Sequence, residues 1–239
     1  MADAWVVLTA AGAGSRLGGE VPKALVQVSG RTILELALER ILKTEDLAGI
    51  VITCPAGHED QFATIAKLGS AAPEVRVVPG GASRQGSVLA GLMEVQRVAE
   101  RSLEDSTPIL VHDAARCLTP TELFDKLIEL VRAGNPAVIP VLPVTDTTVR
   151  VDADTGMVVE ELDRASLAAV QTPQAFRWDA LLEAHDTAAE LAVQESTAAT
   201  DDATLVRRAG YPVSTTLGSE LGFKVTLPQD IEFAESLLA

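Results

Sequence analysis

Arg16 and Lys23 follow a stretch of small residues, Ala10-Ala11-Gly12-Ala13-Gly14-Ser15. Glycine lets a backbone come close to a phosphate and turn its N–H groups toward it. Two cations beside such a cradle suit a phosphoryl group in transfer, because charge set in place beforehand stabilises the charge that develops there. The apolar run Trp5–Thr9 leads directly into the loop, and open α/β folds bind ligands at the carboxyl edge of the sheet. Two familiar glycine loops are excluded. A dinucleotide-binding turn needs a third small residue where Leu17 stands, and an acid near the end of the second strand, where Thr53-Cys54 stand. A Walker loop needs Gly-Lys-Ser/Thr, and Gly19 is followed by Glu20-Val21. Gly12 and Gly14 alone would suit a plain β–α turn equally well; Arg16 and Pro22-Lys23 weigh toward phosphate.

Further along, Asp113 ends the run Ile109–His112. A lone aspartate there would cap the next turn, but within His112-Asp113-Ala114-Ala115-Arg116, at a strand's carboxyl end, it is expected to be a ligand. His112 is expected to pack or bond locally rather than act as a base. Lys224 sits in a short apolar segment with no acid beside it in the chain, which favours a functional role. Ser87 stands near a helix start, where serine commonly caps. Asp201-Asp202 after Thr200 could form a metal pair, but acids at a helix start fit better. Cys54 and Cys117 are the only cysteines and are expected to be isolated reduced thiols. No His–Asp or Ser–His arrangement stands out for nucleophilic catalysis.

These residues need a scaffold. Trp5–Thr9, Gly49–Thr53, Val75–Val78, Ile109–His112 and Ala137–Leu142 have the length and Val/Ile content of buried strands. Helix-period segments fall between them at about 33–44, 58–68, 84–101 and 120–134. Such alternation predicts an α/β fold: one Rossmann-like domain, a mostly parallel central sheet flanked by helices. Past Pro143 the pattern changes. Val144–Arg150, Met157–Leu162 and Ala168–Gln171 read as short strands of an excursion at about 144–171, with a turn at Asp152–Gly156. Helices are expected at about 177–193 and 201–209, strands at Val213–Thr216 and Gly222–Val225, and a last helix opening at Pro228.

Composition narrows the partners. A net charge of −15 repels nucleic acid and anionic membranes over most of the surface, so a phosphate ligand must be met by a few local cations. With 47% hydrophobic residues the chain has the apolar content to fold around a core. No apolar run approaches a membrane span, and the first residues lack the pattern of a signal peptide. A cytoplasmic enzyme is the expectation.

The motif Ala10-Ala11-Gly12-x-Gly14-x-Arg16 with Lys23 resembles the signature of sugar-phosphate nucleotidyltransferases. Gly80-Gly81-Ala82-Ser83-Arg84-Gln85-Gly86-Ser87-Val88, Val111-His112-Asp113-Ala114-Ala115-Arg116, Thr172-Pro173-Gln174 and Phe223-Lys224-Val225-Thr226 are similar to segments of the 2-C-methyl-D-erythritol 4-phosphate cytidylyltransferases, in the same order across nearly the whole chain. The resemblance implies a projecting β-arm that builds a homodimer, CTP and methylerythritol phosphate as substrates, and Mg²⁺. It implies that Ala10, Ala11, Gly12, Gly14, Gly81, Ala82, Ser87, Asp113 and Ala114 line the nucleotide, with Arg16, Lys23 and Lys224 around its phosphates. Asp113 would help hold Mg²⁺. Arg116, Thr172 and Lys224, with Thr147 and Arg164 on the arm of a neighbouring subunit, would bind the acceptor. Thr147 and Arg164 carry no signal of their own beyond this resemblance. The chain departs from the family at Cys117, where proline is usual, and at Gly86, where aspartate is frequent.

The implied step is attack by a phosphate monoester on the α-phosphorus of CTP. A monoester with a second pKa of about 6 is mostly dianionic at neutral pH and needs no general base. Positioning and positive charge then carry the catalysis. A cytidylyltransferase for another polyol phosphate, such as ribitol 5-phosphate, would share the nucleotide motifs, and a catalytically silent nucleotide-binding module would be expected to lack Arg16 or Lys23. Lys23→Ala should therefore lower kcat by about 100–1000-fold, the effect of losing one preorganised charge-stabilising donor, with an unchanged far-ultraviolet circular dichroism spectrum. Full activity in that variant would remove Lys23 from the chemistry.

Overall fold

The structure is a computed structural model that describes residues 3–12, 14, 17, 21–67, 73–99, 103–189, 199 and 201–238. Arg16 lies outside the described residues. The first half holds β1 (Ala4–Thr9), the short β2 (Gln27–Val28) and β3 (Arg31–Thr32), α1 (Ile33–Ile41), β4 (Leu47–Cys54), α2 (Glu59–Ala66), β5 (Glu74–Pro79) and α3 (Arg84–Ala99). The second holds β6 (Pro108–Asp113), α4 (Thr121–Arg132), β7 (Ala137–Pro143), β8 (Thr148–Val151), β9 (Val158–Leu162), β10 (Ala168–Val170), β11 (Gln174–Arg177), α5 (Trp178–Thr187), α6 (Asp202–Arg208), β12 (Ser214–Leu217) and α7 (Pro228–Leu238).

β5, β4, β1 and β6 run parallel in that spatial order. β11 joins β6 antiparallel, β7 joins β11, and β12 pairs with β7 in parallel. Among the described residues this makes a mostly parallel α/β sheet with helices on both faces, as the alternation predicted. Side chains on a strand alternate between faces. Ala4, Val6 and Leu8 accordingly enter one core with α1, α2 and α4, while Trp5 and Val7 enter the other with α3, α5 and α6. Both faces are covered, which is why the central strands are nearly continuous apolar runs.

From β1 the chain winds outward through β4 and β5, then returns across α3 to place β6 on the other side of β1. The strand order reverses there, and such a reversal opens a crevice at the carboxyl ends of the strands. That crevice lies between the loop after Thr9 and the turn after Asp113.

The excursion differs from its expected form. Of its strands, β8 and β9 form a separate two-stranded antiparallel sheet. β10 returns to the main sheet, with Ala168 opposite Pro143 on β7. The Asp152–Gly156 turn is as expected: the Asp152 carboxylate accepts from the Thr155 backbone N–H at 2.8 Å. Gly222–Val225 is not a strand. A 3-10 turn, Glu220–Gly222, is followed by extended chain, and Val225 N–H donates to Ala115 O at 2.8 Å. The segment meets the loop after β6 rather than a strand edge, so no ladder can form. β11 was not expected; its few residues follow a proline and run straight into a helix.

α3 packs on β1 through a point of close approach. A Cβ added at Gly91 would lie 2.5 Å from Val7 Cγ1, so this glycine is kept in a helix interior despite its conformational cost. Gly91→Ala should lower the unfolding free energy by about 1–3 kcal/mol, the usual cost of overpacking. Urea denaturation checks this, and a variant as stable as the parent would show that the sheet and helix can part at no cost.

Candidate active site

The loop after β1 is anchored by Ala10 N–H donating to Thr53 O at 2.8 Å. Lys23 N–H returns to Gly12 O at 3.2 Å, folding Lys23 back over the loop. Gly14 has φ +70°, and a Cβ there would meet Lys23 Cα at 3.1 Å, so the second glycine is required by both backbone sign and space. The facing wall is the loop after β5, where Gly80 N–H donates to Cys54 O at 2.8 Å. Ser83 caps α3: its Oγ accepts from Gly86 N–H at 3.0 Å. Ser87, expected near the helix start, lies in the first turn instead and is not the cap. Its hydroxyl donates to Ser83 O at 2.9 Å and accepts from Gly81 N–H at 3.2 Å, tying the loop to the helix. The N-terminal end of a helix favours anions, and here it faces a cleft.

That cleft has a volume of about 580 Å³, within the range of small-molecule sites. Ala10, Ala11, Gly12, Gly14, Lys23, Gly81, Ala82, Ser87, Asp113, Ala114 and Lys224 all line it. Every expected nucleotide contact among the described residues is therefore in one place. A second cavity of about 310 Å³ is lined by Arg116, Thr172, Gln171 and Asp201. Arg84, Asp113 and Lys224 line both cavities. Thr147 and Arg164 line neither; Arg164 Nη1 donates to Thr145 O at 2.6 Å within the arm.

Asp113 is the centre of the shared wall. Its Oδ2 accepts from Lys224 Nζ at 2.8 Å, and its Oδ1 from Arg84 Nε and Thr9 Oγ1, each at 3.2 Å. Burial would raise this carboxyl, but Arg84 and Lys224 together hold it well below the usual carboxylate range. Lys224 thus has an acid neighbour, remote in sequence and close in space, and it stands on extended chain rather than in a strand. Asp113 does not cap the following turn through its side chain.

Mg²⁺ in phosphoryl-transfer sites takes one or two carboxylates and fills its remaining positions with phosphate oxygens and water. The ionised Asp113 carboxylate between the two cavities fits such a site. Among the described residues no cluster of three His, Cys, Asp or Glu could cage a metal alone.

Thr172 is turned inward. Its Oγ1 accepts from Asp113 N–H at 3.0 Å and shares a hydrogen bond with His112 Nδ1 at 3.1 Å. His112 is buried edge-on to Phe124. Burial, partly opposed by Asp113, pushes its pKa down to about 4, so it is neutral at physiological pH and serves packing and positioning. Arg116 Nη1 donates to Gly222 O at 2.7 Å, bracing the segment that carries Lys224. Cys54 and Cys117 are both buried free thiols.

Arg84 and Asp202 escaped a reading of the sequence alone. Arg84 lay inside a quoted motif without an assigned role. Asp201 and Asp202 do begin a helix, and Asp201 caps it by accepting from Thr204 N–H at 3.0 Å. Asp202, however, is fully buried, accepting from Arg84 Nη1 at 2.7 Å and facing His185 Nε2 at 3.0 Å. Nothing in its local sequence distinguishes it from an ordinary first-turn acid.

Over residues 4–239 the chain matches the family model of 2-C-methyl-D-erythritol 4-phosphate cytidylyltransferase. It is similar to the protein of that name from Frankia casuarinae, 44% identical over 98% of this chain and 80% of that one. The corresponding protein of Saccharopolyspora erythraea is 42% identical over 98% of each chain. In structure it is similar to the 2-C-methyl-D-erythritol 4-phosphate cytidylyltransferase of Thermus thermophilus, with a TM-score of 0.72, 33% identity and 97% of both chains covered.

The Asp202 carboxyl makes a pH prediction. Burial would raise it, but Arg84 and His185 outweigh that and lower it from 3.8 to about 2. The folded pKa lies below the unfolded one, so this group's contribution is full above about pH 4 and is lost as pH falls through about 2. Asp202→Asn should be less stable than the parent at about pH 6, with the gap closing between about pH 4 and pH 2. A gap independent of pH, measured by urea unfolding, would mean that the carboxylate charge contributes nothing.

Proposed function

The chain belongs to the 2-C-methyl-D-erythritol 4-phosphate cytidylyltransferase family, and on that premise we propose how its two joined cavities carry out the family's reaction. It transfers CMP from CTP to 2-C-methyl-D-erythritol 4-phosphate, giving 4-diphosphocytidyl-2-C-methyl-D-erythritol and pyrophosphate, in the non-mevalonate synthesis of isoprenoid precursors. The observation that carries the assignment is that Arg84, Asp113 and Lys224 line both cavities. A reaction between two phosphate compounds needs two sites that share one charged wall.

CTP occupies the larger cleft, with its phosphates on the loop after β1 and its base toward Gly81, Ala82 and Ser87. Methylerythritol phosphate occupies the smaller cavity, beside Arg116 and Thr172. Its dianionic phosphate attacks the α-phosphorus, and pyrophosphate leaves on the opposite side. Two polyanions must be held together, so the protein's work is positioning and positive charge. Lys23 and Arg16 stabilise the charge on the α-phosphate, and Lys224 reaches the phosphates from the shared wall. Asp113 would hold Mg²⁺, which when bound neutralises charge on the triphosphate oxygens.

The β8–β9 arm supports a homodimer. Val149, Val151, Met157, Val158 and Val159 are exposed along it, an apolar ribbon suited to burial against a second copy. In that assembly Thr147 and Arg164 complete the acceptor site of the neighbour. No helix among the described residues is long and apolar enough to cross a membrane, which suits an enzyme of the cytoplasm acting on soluble substrates.

Release of pyrophosphate from CTP should require both methylerythritol phosphate and Mg²⁺. The same assay with ribitol 5-phosphate as acceptor tests the substrate: faster release with ribitol phosphate would overturn the assignment.

A further inference from the structure

The loops that line the larger cleft explain how a nucleotide is gripped. They do not explain why two more ionisable side chains, His185 and Asp202, are buried behind it. His185 on α5 and Asp202 at the start of α6 are both fully buried. His185 Nε2 lies 3.0 Å from Asp202 Oδ1, and Asp202 Oδ2 accepts from Arg84 Nη1 at 2.7 Å. Arg84 Nε then donates to Asp113 Oδ1 at 3.2 Å, and Asp113 Oδ2 accepts from Lys224 Nζ at 2.8 Å. The line runs from the core beneath α5 to the wall shared by the two cavities.

Asp202 is not needed to start α6, because Asp201 already caps that helix. Its two oxygens are divided instead between a histidine and an arginine. An ionised carboxylate only accepts hydrogen bonds, so the proton of the His185–Asp202 bond sits on Nε2. Nδ1 is buried and has no hydrogen-bond partner among the described residues, an unfavourable arrangement for a polar atom. An apolar side chain at position 185 would avoid this loss, and histidine's compensating contribution is the bond to Asp202. Arg84 in turn has a planar, rigid fork. Carboxylates at its Nε and at Nη1 fix both the position and the plane of the guanidinium.

We propose that His185 and Asp202 are a positioning pair that holds Arg84, and through it the Asp113 carboxylate, in register at the junction of the two substrates. This role rests on the cytidylyl-transfer reaction proposed above. His185 and Asp202 line neither of the loops that grip the nucleotide, so they act on the alignment of the reacting groups and not on CTP affinity.

The test is a mutant cycle read by steady-state pyrophosphate release, with CTP affinity measured by calorimetry. His185→Leu removes the donor at similar bulk and should lower kcat about tenfold, the effect of losing one hydrogen bond to a charged group, with CTP affinity unchanged within about twofold. His185→Gln places an N–H donor near the Nε2 position and should recover most of that loss. In an Arg84→Lys background, where the fork is already gone, His185→Leu should cause no further fall. A wild-type kcat in His185→Leu, equal losses in the Leu and Gln variants, or full additivity with Arg84→Lys would each overturn the proposal. Should His185→Leu fail to fold, Asp202→Asn carries the same expectation, and an unchanged kcat there overturns it. An inactive wild type overturns the transfer reaction and this inference together; an active wild type with an equally active His185→Leu overturns the inference alone.

Discussion

The site depends on one buried charge. Asp113 is 7% exposed, and an ionised carboxylate taken out of water is costly unless cations and hydrogen bonds replace its hydration. Arg84 and Lys224 supply the cations, and Thr9 adds a hydroxyl donor. Because these partners belong to α3, to the segment before α7 and to β1, satisfying one carboxylate draws three distant parts of the chain to one point. The same point is where the two cavities meet.

The surrounding architecture positions those partners. Strand order reverses beside β1, so the segments that leave β1 and β6 diverge and leave room for a ligand. Ala114 N–H donates to Thr9 O at 3.0 Å, which holds the ends of the two strands level. α3 lies close on the sheet at Gly91 and presents Arg84 from its first turn. On the far side Gln171 accepts from Ser219 N–H at 3.0 Å and donates to Ser219 O at 2.9 Å. With the Arg116 bond to Gly222, this fixes the irregular chain that leads to Lys224. Extended chain without a ladder thus holds Lys224 beside Asp113.

Charge is distributed unevenly to the same end. Many ion pairs lie on the surface, such as Arg31–Glu39–Lys43 and Arg132 with Asp3 and Asp46, where solvent and salt leave them little net value. The Asp202–Arg84–Asp113–Lys224 line is different: Asp202, Arg84 and Asp113 are sheltered, Lys224 reaches them from the surface, and the four alternate in sign and belong to separate elements. In a low-dielectric setting an imperfect geometry there would be costly. An otherwise acidic molecule therefore keeps Arg84 and Lys224 ordered where its two cavities meet.

Much of the molecule was legible in the residues alone. The central strands and the helices between them follow from periodicity, because apolar strands covered on both faces and amphipathic helices leave opposite signatures within a dozen residues. The loop at Ala10–Lys23 was legible because glycines and cations stand close together in the chain, and Asp113 because it ends a strand. The expectation that Arg116 and Thr172 bind the acceptor came only from family resemblance; neither has a local pattern that marks it. Local patterns also misjudged Gly222–Val225, since an apolar tetrapeptide reads as a strand whether or not an edge is there to receive it. β11 was missed because alternation over so few residues carries almost no information. What tertiary structure alone decided is the pairing of charges. Arg84 and Asp202 lie 118 positions apart, and Asp113 and Lys224 lie 111 apart. Short-range propensity acts over a few residues, whereas a buried ion pair is chosen by which side chains the packed core brings within reach. The sequence by itself determined that a glycine loop with cations close by would sit at a sheet's edge; only the fold decided which carboxylate, arginine and lysine would stand together opposite it.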